Sequence, residues 1–143
     1  MTRPAGPEHR GARLGRPASG PGSLAPFGRR ALAFLIDLLA SALVAALFVH
    51  HPHATGGAAH LPGQWSLIPW AVDYVVGLPL LGRTLGMYLT GLRVIRVDAH
   101  APIGPLRALG RTVLLSLLLP ALMVDGDLRG LHDRLTSTAV IVH

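Results

Sequence analysis

Apolar residues fall in three long runs separated by stretches rich in Gly, Pro, Arg and His, and this alternation sets the predicted architecture. The first run, Ala31 to Val49, has 19 residues. As a helix it measures about 28 Å, close to the thickness of a bilayer's hydrocarbon core. Eleven of its residues are Leu, Ile, Phe or Val. At about −0.3 to −0.6 kcal/mol each they favour insertion by about −3 to −7 kcal/mol, against about +3 kcal/mol for the charge of Asp37. The run predicts a membrane span with an acid inside it. The twin arginine Arg29-Arg30 ahead of it also fits an export signal, but the run's length, its acid and the apolar segments beyond it favour a span.

The second run, Trp65 to Leu81, has 17 residues, eight of them Leu, Ile or Val. The same sum gives about −2.4 to −4.8 kcal/mol against about +3 kcal/mol for Asp73, so insertion alone is marginal and the segment needs a helical neighbour. Pro69, Gly77 and Pro79 point the same way, because a broken helix in lipid relies on its surroundings to satisfy freed backbone groups. Trp65 and Trp70 lie in its outer third, at the depth where indoles favour the headgroups. The third run, Val113 to Val124, has 12 residues and contains Pro120. Extended back to Leu106 it takes in Arg107, Gly110 and Arg111, so the segment of about 106–124 is either a short span or a re-entrant hairpin.

Between the runs, Leu85, Tyr88, Leu89 and Leu92 recur at helical spacing and predict a short amphipathic helix lying on the inner leaflet. Leu92–Val97 and Thr138–Val142 are the two β-branched runs outside the apolar segments, and a lone strand leaves its ladder groups unpaired. Pairing them puts both on one side, favouring a cytoplasmic C-terminus and a third segment that dips in and returns. The prediction is an all-α integral membrane protein with two to three transmembrane helices, an interfacial amphipathic helix and a short cytoplasmic β pair.

Composition sharpens this picture. Half of the 143 residues are hydrophobic and 14% are charged, which argues against both a soluble globule and a disordered chain. There is no cysteine, hence no disulfide or thiolate site. The formal charge is +6, and all basic residues are arginine. Six arginines lie in residues 1–30, none in 50–64 and five in 82–112, which places the N-terminus and the second connector in the cytoplasm. Residues 1–26, rich in Arg, Pro and Gly, predict a disordered cytoplasmic tail before a membrane domain over 27–143. Without interleaved aromatics the tail suits a membrane surface, and no nucleic-acid partner is expected.

The chemistry rests on few residues. Arg30 and Asp37 are two helical turns apart and share a face with the small residues Ala33 and Ser41. An acid at the depth of Asp37 is rare unless it faces a partner, a cavity or a pathway. Asp73 falls at nearly the same depth on the second run, and two facing carboxyl groups in a dry setting favour sharing one proton; the alternative is a neutral Asp73 acting as hydrogen-bonded helix glue. His50, His51, His53 and His60 sit in a Gly- and Pro-rich loop with no carboxylates to orient them, so no metal site is expected. Asp125-Gly126-Asp127 lacks the further ligands of a calcium loop, and no nucleophile motif accompanies His132-Asp133. Neither an enzyme nor a cofactor is expected.

Assembled, the pattern resembles the RDD family of small bacterial membrane proteins, named for one arginine and two aspartates. The arginine at the start of the first helix falls on Arg30 and the aspartate within it on Asp37, in FGRRALAFLIDLL. GRTLGMYLTGLRVIRVD is similar to the family's Gly-x-Thr-x-Gly connector, here Gly82, Thr84 and Gly86. RGLHDRLTSTAVIVH resembles the closing motif, with its aspartate on Asp133. Met87 stands where the family often has a basic residue, and Asp73 matches no motif. The resemblance implies a multi-pass protein of the bacterial inner membrane in which Arg30, Asp37 and Asp133 form a buried polar network, and it supplies no reaction. The network either moves a cation or proton or fixes helix packing. The alternative is an accessory or scaffold protein whose basic tail and cytoplasmic face recruit a partner. The expected partners are the lipid bilayer and either further copies of the chain or another membrane protein.

Overall fold

The computed structural model describes residues 9, 11–48, 64–98, 100–117 and 131–143. Its longest element is α1, Phe27–Phe48, which starts directly after Pro26, four residues ahead of the predicted span. Its 22 residues measure about 33 Å, and an 18-residue window has a mean hydropathy of 2.4 with only 22% of it buried. Ala33, Asp37, Ser41 and Ala45 form the buried stripe, one residue per turn, while Leu32, Leu35, Leu39, Leu43 and Leu47 are exposed. A helix this apolar with so little protein around it suits lipid. Among the described residues it alone is long and apolar enough to cross a membrane.

The second apolar run is not one regular helix. A 3₁₀ turn at Gln64–Ser66 leads into α2, Leu67–Val72, then a π-helical segment, Asp73–Gly77, and α3, Leu78–Leu81. Pro79 has no N–H to close the α ladder on Val75, so the regular pattern is already interrupted there, and the π register takes up the mismatch. Trp70 departs from the expected headgroup position: it is buried between Phe34, edge-on at 6.2 Å, and Tyr74, tilted at 4.7 Å. Trp65 stays half exposed.

Gly82, with φ 68°, ends α3 in a left-handed cap, and Thr84 caps α4, Leu85–Leu89. Leu85, Tyr88 and Leu89 form an exposed apolar face, as predicted, but Leu92 does not continue it. The helix stops at Leu89, Gly91 turns the chain at φ 65°, and Leu92 is fully buried at the start of β1, Leu92–Arg96. Next comes α5, Pro105–Ser116, which buries Ala108, Arg111, Thr112 and Leu115. Its 12 residues span about 18 Å, and the remainder of the predicted third segment, 118–124, lies outside the described residues. A short α6, Leu131–Leu135, precedes β2, Thr138–Val142.

The strands pair as predicted, antiparallel from Leu92 opposite Val142 to Arg96 opposite Thr138. Residues 11–26 differ from the expected disordered tail. Ala12–Leu14 forms a 3₁₀ turn, and the stretch before Pro26 runs along the other edge of β2. There Gly22 N–H donates to Val142 O at 2.8 Å, Val142 N–H to Ser23 O at 2.9 Å and Ala25 N–H to Val140 O at 2.9 Å. The reason is edge satisfaction: β2 has a free row of backbone groups, and the apolar Leu24 and Ala25 can occupy it. The core gathers Ala33, Trp70, Tyr74, Leu78, Met87 and Ala108 between the helices, and Leu92, Val94 and Val140 on the sheet.

Candidate functional site

The Gly-x-Thr-x-Gly connector packs against the buried stripe of α1, and each of its three named residues has a separate physical task. Gly82 supplies the left-handed turn, and its carbonyl accepts from Val94 N–H at 2.7 Å. Thr84 Oγ1 accepts the Met87 N–H at 3.3 Å as the cap of α4, while its hydroxyl donates to Asp37 Oδ2 at 2.7 Å. Gly86 lets α4 touch α1: a Cβ there would collide with the Ala33 carbonyl and come within 2.8 Å of Asp37 Oδ1. That approach lets the Gly86 N–H donate to Asp37 Oδ1 at 2.5 Å.

Asp37 therefore lies at the centre of a first cluster. It is buried, and the Tyr74 hydroxyl adds a third donor, to Oδ2 at 3.0 Å. Asp73, at the head of the π segment, accepts the Leu85 N–H at 3.3 and 3.2 Å on its two oxygens. Asp73 and Asp37 thus accept from consecutive backbone N–H groups, those of Leu85 and Gly86. The two acids placed at one depth by the sequence are thus brought together.

A second cluster surrounds Asp133, which is fully buried on α6. Arg30 Nη2 and Arg111 Nη1 each form an ion pair with it, one on each carboxylate oxygen. Arg111 Nη1 also donates to Thr138 Oγ1 at 3.0 Å, and Thr138 and Thr136 hydroxyls lie 3.0 Å apart. Arg30 and Asp37 share a helix face as predicted, yet they serve different clusters: Arg30 turns to Asp133 and Asp37 to the connector. Tyr74 belongs to the first cluster through its hydrogen bond to Asp37.

Three side-chain roles are not read from the sequence. Thr84 is named there only as a motif residue, not as a donor to Asp37, and Tyr74, uncharged, gave no signal by itself. Arg111 did: it occupies the middle of the Ala108, Thr112, Leu115 stripe, and a charge on the inward face of an apolar helix calls for a buried counter-ion. The loop histidines His50, His51, His53 and His60, and Asp125 and Asp127, lie outside the described residues. Among the described residues, no three His, Asp or Glu side chains gather as a metal site would need.

An apolar helix exposed along most of its length, bound to the rest of the chain by a buried arginine and aspartate network, defines a helical membrane protein. The family follows from the whole sequence: the RDD family model matches residues 24–137, and the chain belongs to the RDD family, a family of membrane proteins with no established molecular activity. No curated protein and no solved structure matches the chain.

Proposed function

We propose that the protein is a multi-pass membrane transporter in which the Asp37–Asp73 pair exchanges a proton for a monovalent cation. The observation that carries this reading is a pair of carboxyl groups from different helical segments held on consecutive backbone N–H groups, one of them on a π segment, a feature frequent at functional sites. Charge supports it. Arg30 and Arg111 contribute two positive charges and Asp133 one negative, so a single proton shared by Asp37 and Asp73 leaves the whole network neutral. One monovalent cation replaces that proton without changing the sum, which suits a low-dielectric setting where net charge is costly.

The topology in this proposal is two crossings, α1 and residues 64–81, with both ends in the cytoplasm. Its support is the hydrogen bonding of β2 to residues 22–25 on one edge and to β1 on the other, so that crossings between these three segments come in pairs. A cytoplasmic placement of the start of α1 is supported by Arg29, which donates to Thr90 O at 2.7 Å, and Arg83, 4.9 Å from the Tyr88 ring, through the positive-inside rule. The exposed apolar faces suit the lipid bilayer and further copies of the chain; no enzyme chemistry and no nucleic-acid partner enter this reading.

Proteoliposomes containing a pH-sensitive dye test the function. A gradient of sodium or potassium should drive proton movement, and Asp73→Asn should abolish it while keeping the acceptor for Leu85 N–H and hence the fold. Absence of flux from folded wild-type protein refutes transport. The scaffold alternative predicts instead that Asp73→Asn is tolerated and that removing residues 1–10 abolishes function. The truncation stops there because Ser23 and Ala25 belong to the sheet.

A further inference from the structure

A cavity of about 830 Å³ lies at the end of α3, away from both carboxyl clusters. Its walls are residues 14–16 of the N-terminal segment, the α3 end with the Gly82 turn, and residues 93–98 and 100–103. The two lips differ in chemistry. One is apolar: Leu80 and Leu81 are 75% and 63% exposed and continue the apolar surface of the second helical run down to the cavity mouth. The other carries Arg16, Arg93 and Arg96 around a single acid, Asp98.

That acid is already satisfied. Arg96 Nε and Nη2 hold the two oxygens of Asp98 at 3.0 and 3.1 Å, and Arg107 Nη2 adds a contact at 2.8 Å. These guanidinium groups hold the Asp98 carboxyl well below the usual carboxylate range. Arg16 and Arg93 are in a different position: neither side chain makes an ion pair or hydrogen bond among the described residues. Arg93 lies over the Gly82 turn, its Nε 3.1 Å from where a Cβ on that residue would stand, so the absence of a side chain at Gly82 leaves room for it. The cavity thus presents two guanidinium groups with unused donors opposite an apolar ledge at the foot of an apolar helix.

We propose that this cavity seats the phosphate headgroup of an anionic membrane lipid, with Arg16 and Arg93 as its cationic ligands and the acyl chains leaving over Leu80 and Leu81. A planar guanidinium matches a phosphate through paired N–H donors. Basic pockets beside membrane helices on the cytoplasmic side are where such headgroups bind. The volume lies in the range of small-molecule sites, about 300–1,000 Å³, and far exceeds what inorganic phosphate would fill. The apolar lip has no use for a soluble anion but continues naturally into a lipid tail. The proposal is independent of transport, because it uses neither Asp37 nor Asp73.

The test is native mass spectrometry of the full chain in a neutral detergent, with phosphatidylglycerol, phosphatidylcholine or inorganic phosphate added. The wild type should retain phosphatidylglycerol over phosphatidylcholine. Arg16→Gln and Arg93→Gln should each weaken that retention about five-fold, and together about 25-fold, since each surface arginine contributes roughly that factor toward an anionic headgroup. Arg13→Gln, which removes an exposed arginine of the same segment outside the cavity, should leave it unchanged. Thermal unfolding of each variant should match the wild type, because the replaced side chains make no ion pair or hydrogen bond among the described residues. Equal retention of the two lipids, or retention that survives the double replacement, overturns the proposal. Displacement of phosphatidylglycerol by millimolar inorganic phosphate, with phosphate binding dependent on both arginines, overturns the lipid assignment in favour of a soluble phosphate compound.

Discussion

Asp133→Asn is the sharpest probe of the buried network. The carboxylate is 0% exposed and sits between Arg30, whose side chain is 14% exposed, and Arg111, at 2%. Arg111 has no slack, because its Nε–H already lacks a hydrogen-bond partner among the described residues. An asparagine keeps the shape and one acceptor oxygen, yet it leaves two buried guanidinium groups without the charge between them. Removing one partner of a buried ion pair costs about 3–5 kcal/mol. For a chain of this size that lowers the unfolding midpoint by about 10–17 °C. The assay is thermal unfolding of purified protein in detergent, with Asp98→Asn as the comparison. Asp98 also contacts two arginines, but in solvent, where water and salt screen the pairs, so its replacement should leave the midpoint unchanged. A further variant separates charge from packing: Arg30→Met, Arg111→Met and Asp133→Leu together should recover most of the loss, since an apolar replacement of the whole triad leaves no buried charge. If Asp133→Asn moves the midpoint no further than Asp98→Asn, the claim that this carboxylate holds the fold together is wrong.

Three more expectations follow from the connector and the surface clasp. Gly86→Ala should lower stability by about 1–3 kcal/mol, as overpacking a filled site does, because its Cβ meets the Ala33 carbonyl; thermal unfolding equal to wild type would show that α1 and α4 separate without cost. Thr84→Val removes both the cap of α4 and a donor to Asp37, and should cost about 1–3 kcal/mol, whereas Thr84→Ser, which keeps the hydroxyl, should cost little; equal losses for the two would rule out the hydroxyl as the cause. Asp98, with its acidity strengthened by Arg96 and Arg107, should titrate below the ordinary aspartate value when followed by carboxyl NMR shifts. Because the folded-state value is depressed, any stabilisation from this clasp is present at neutral pH and is lost only as the pH falls through that low value, and a midpoint at or above about 3.9 would contradict it.

Local pattern alone determined a good deal. The length and apolarity of residues 31–49 required a membrane helix, Asp37 within it had to face protein, and two isolated β-branched runs had to find each other. Each of these follows from a property carried by neighbouring residues: periodicity, transfer energy, or unpaired backbone groups. Gly82, Thr84 and Gly86 were legible as a motif, but only their positions in space explain them: a left-handed turn, a cap that also donates, and a backbone close enough to reach Asp37. The tertiary structure alone decided that Arg30 and Asp37 belong to different clusters, that Arg111 is the second cation on Asp133, and that residues 22–25 complete the sheet. These contacts join residues up to 120 positions apart, Gly22 to Val142, and burial makes them selective: in a dry interior every charge and every strand edge must be matched, and which distant group does so depends on packing rather than on sequence spacing.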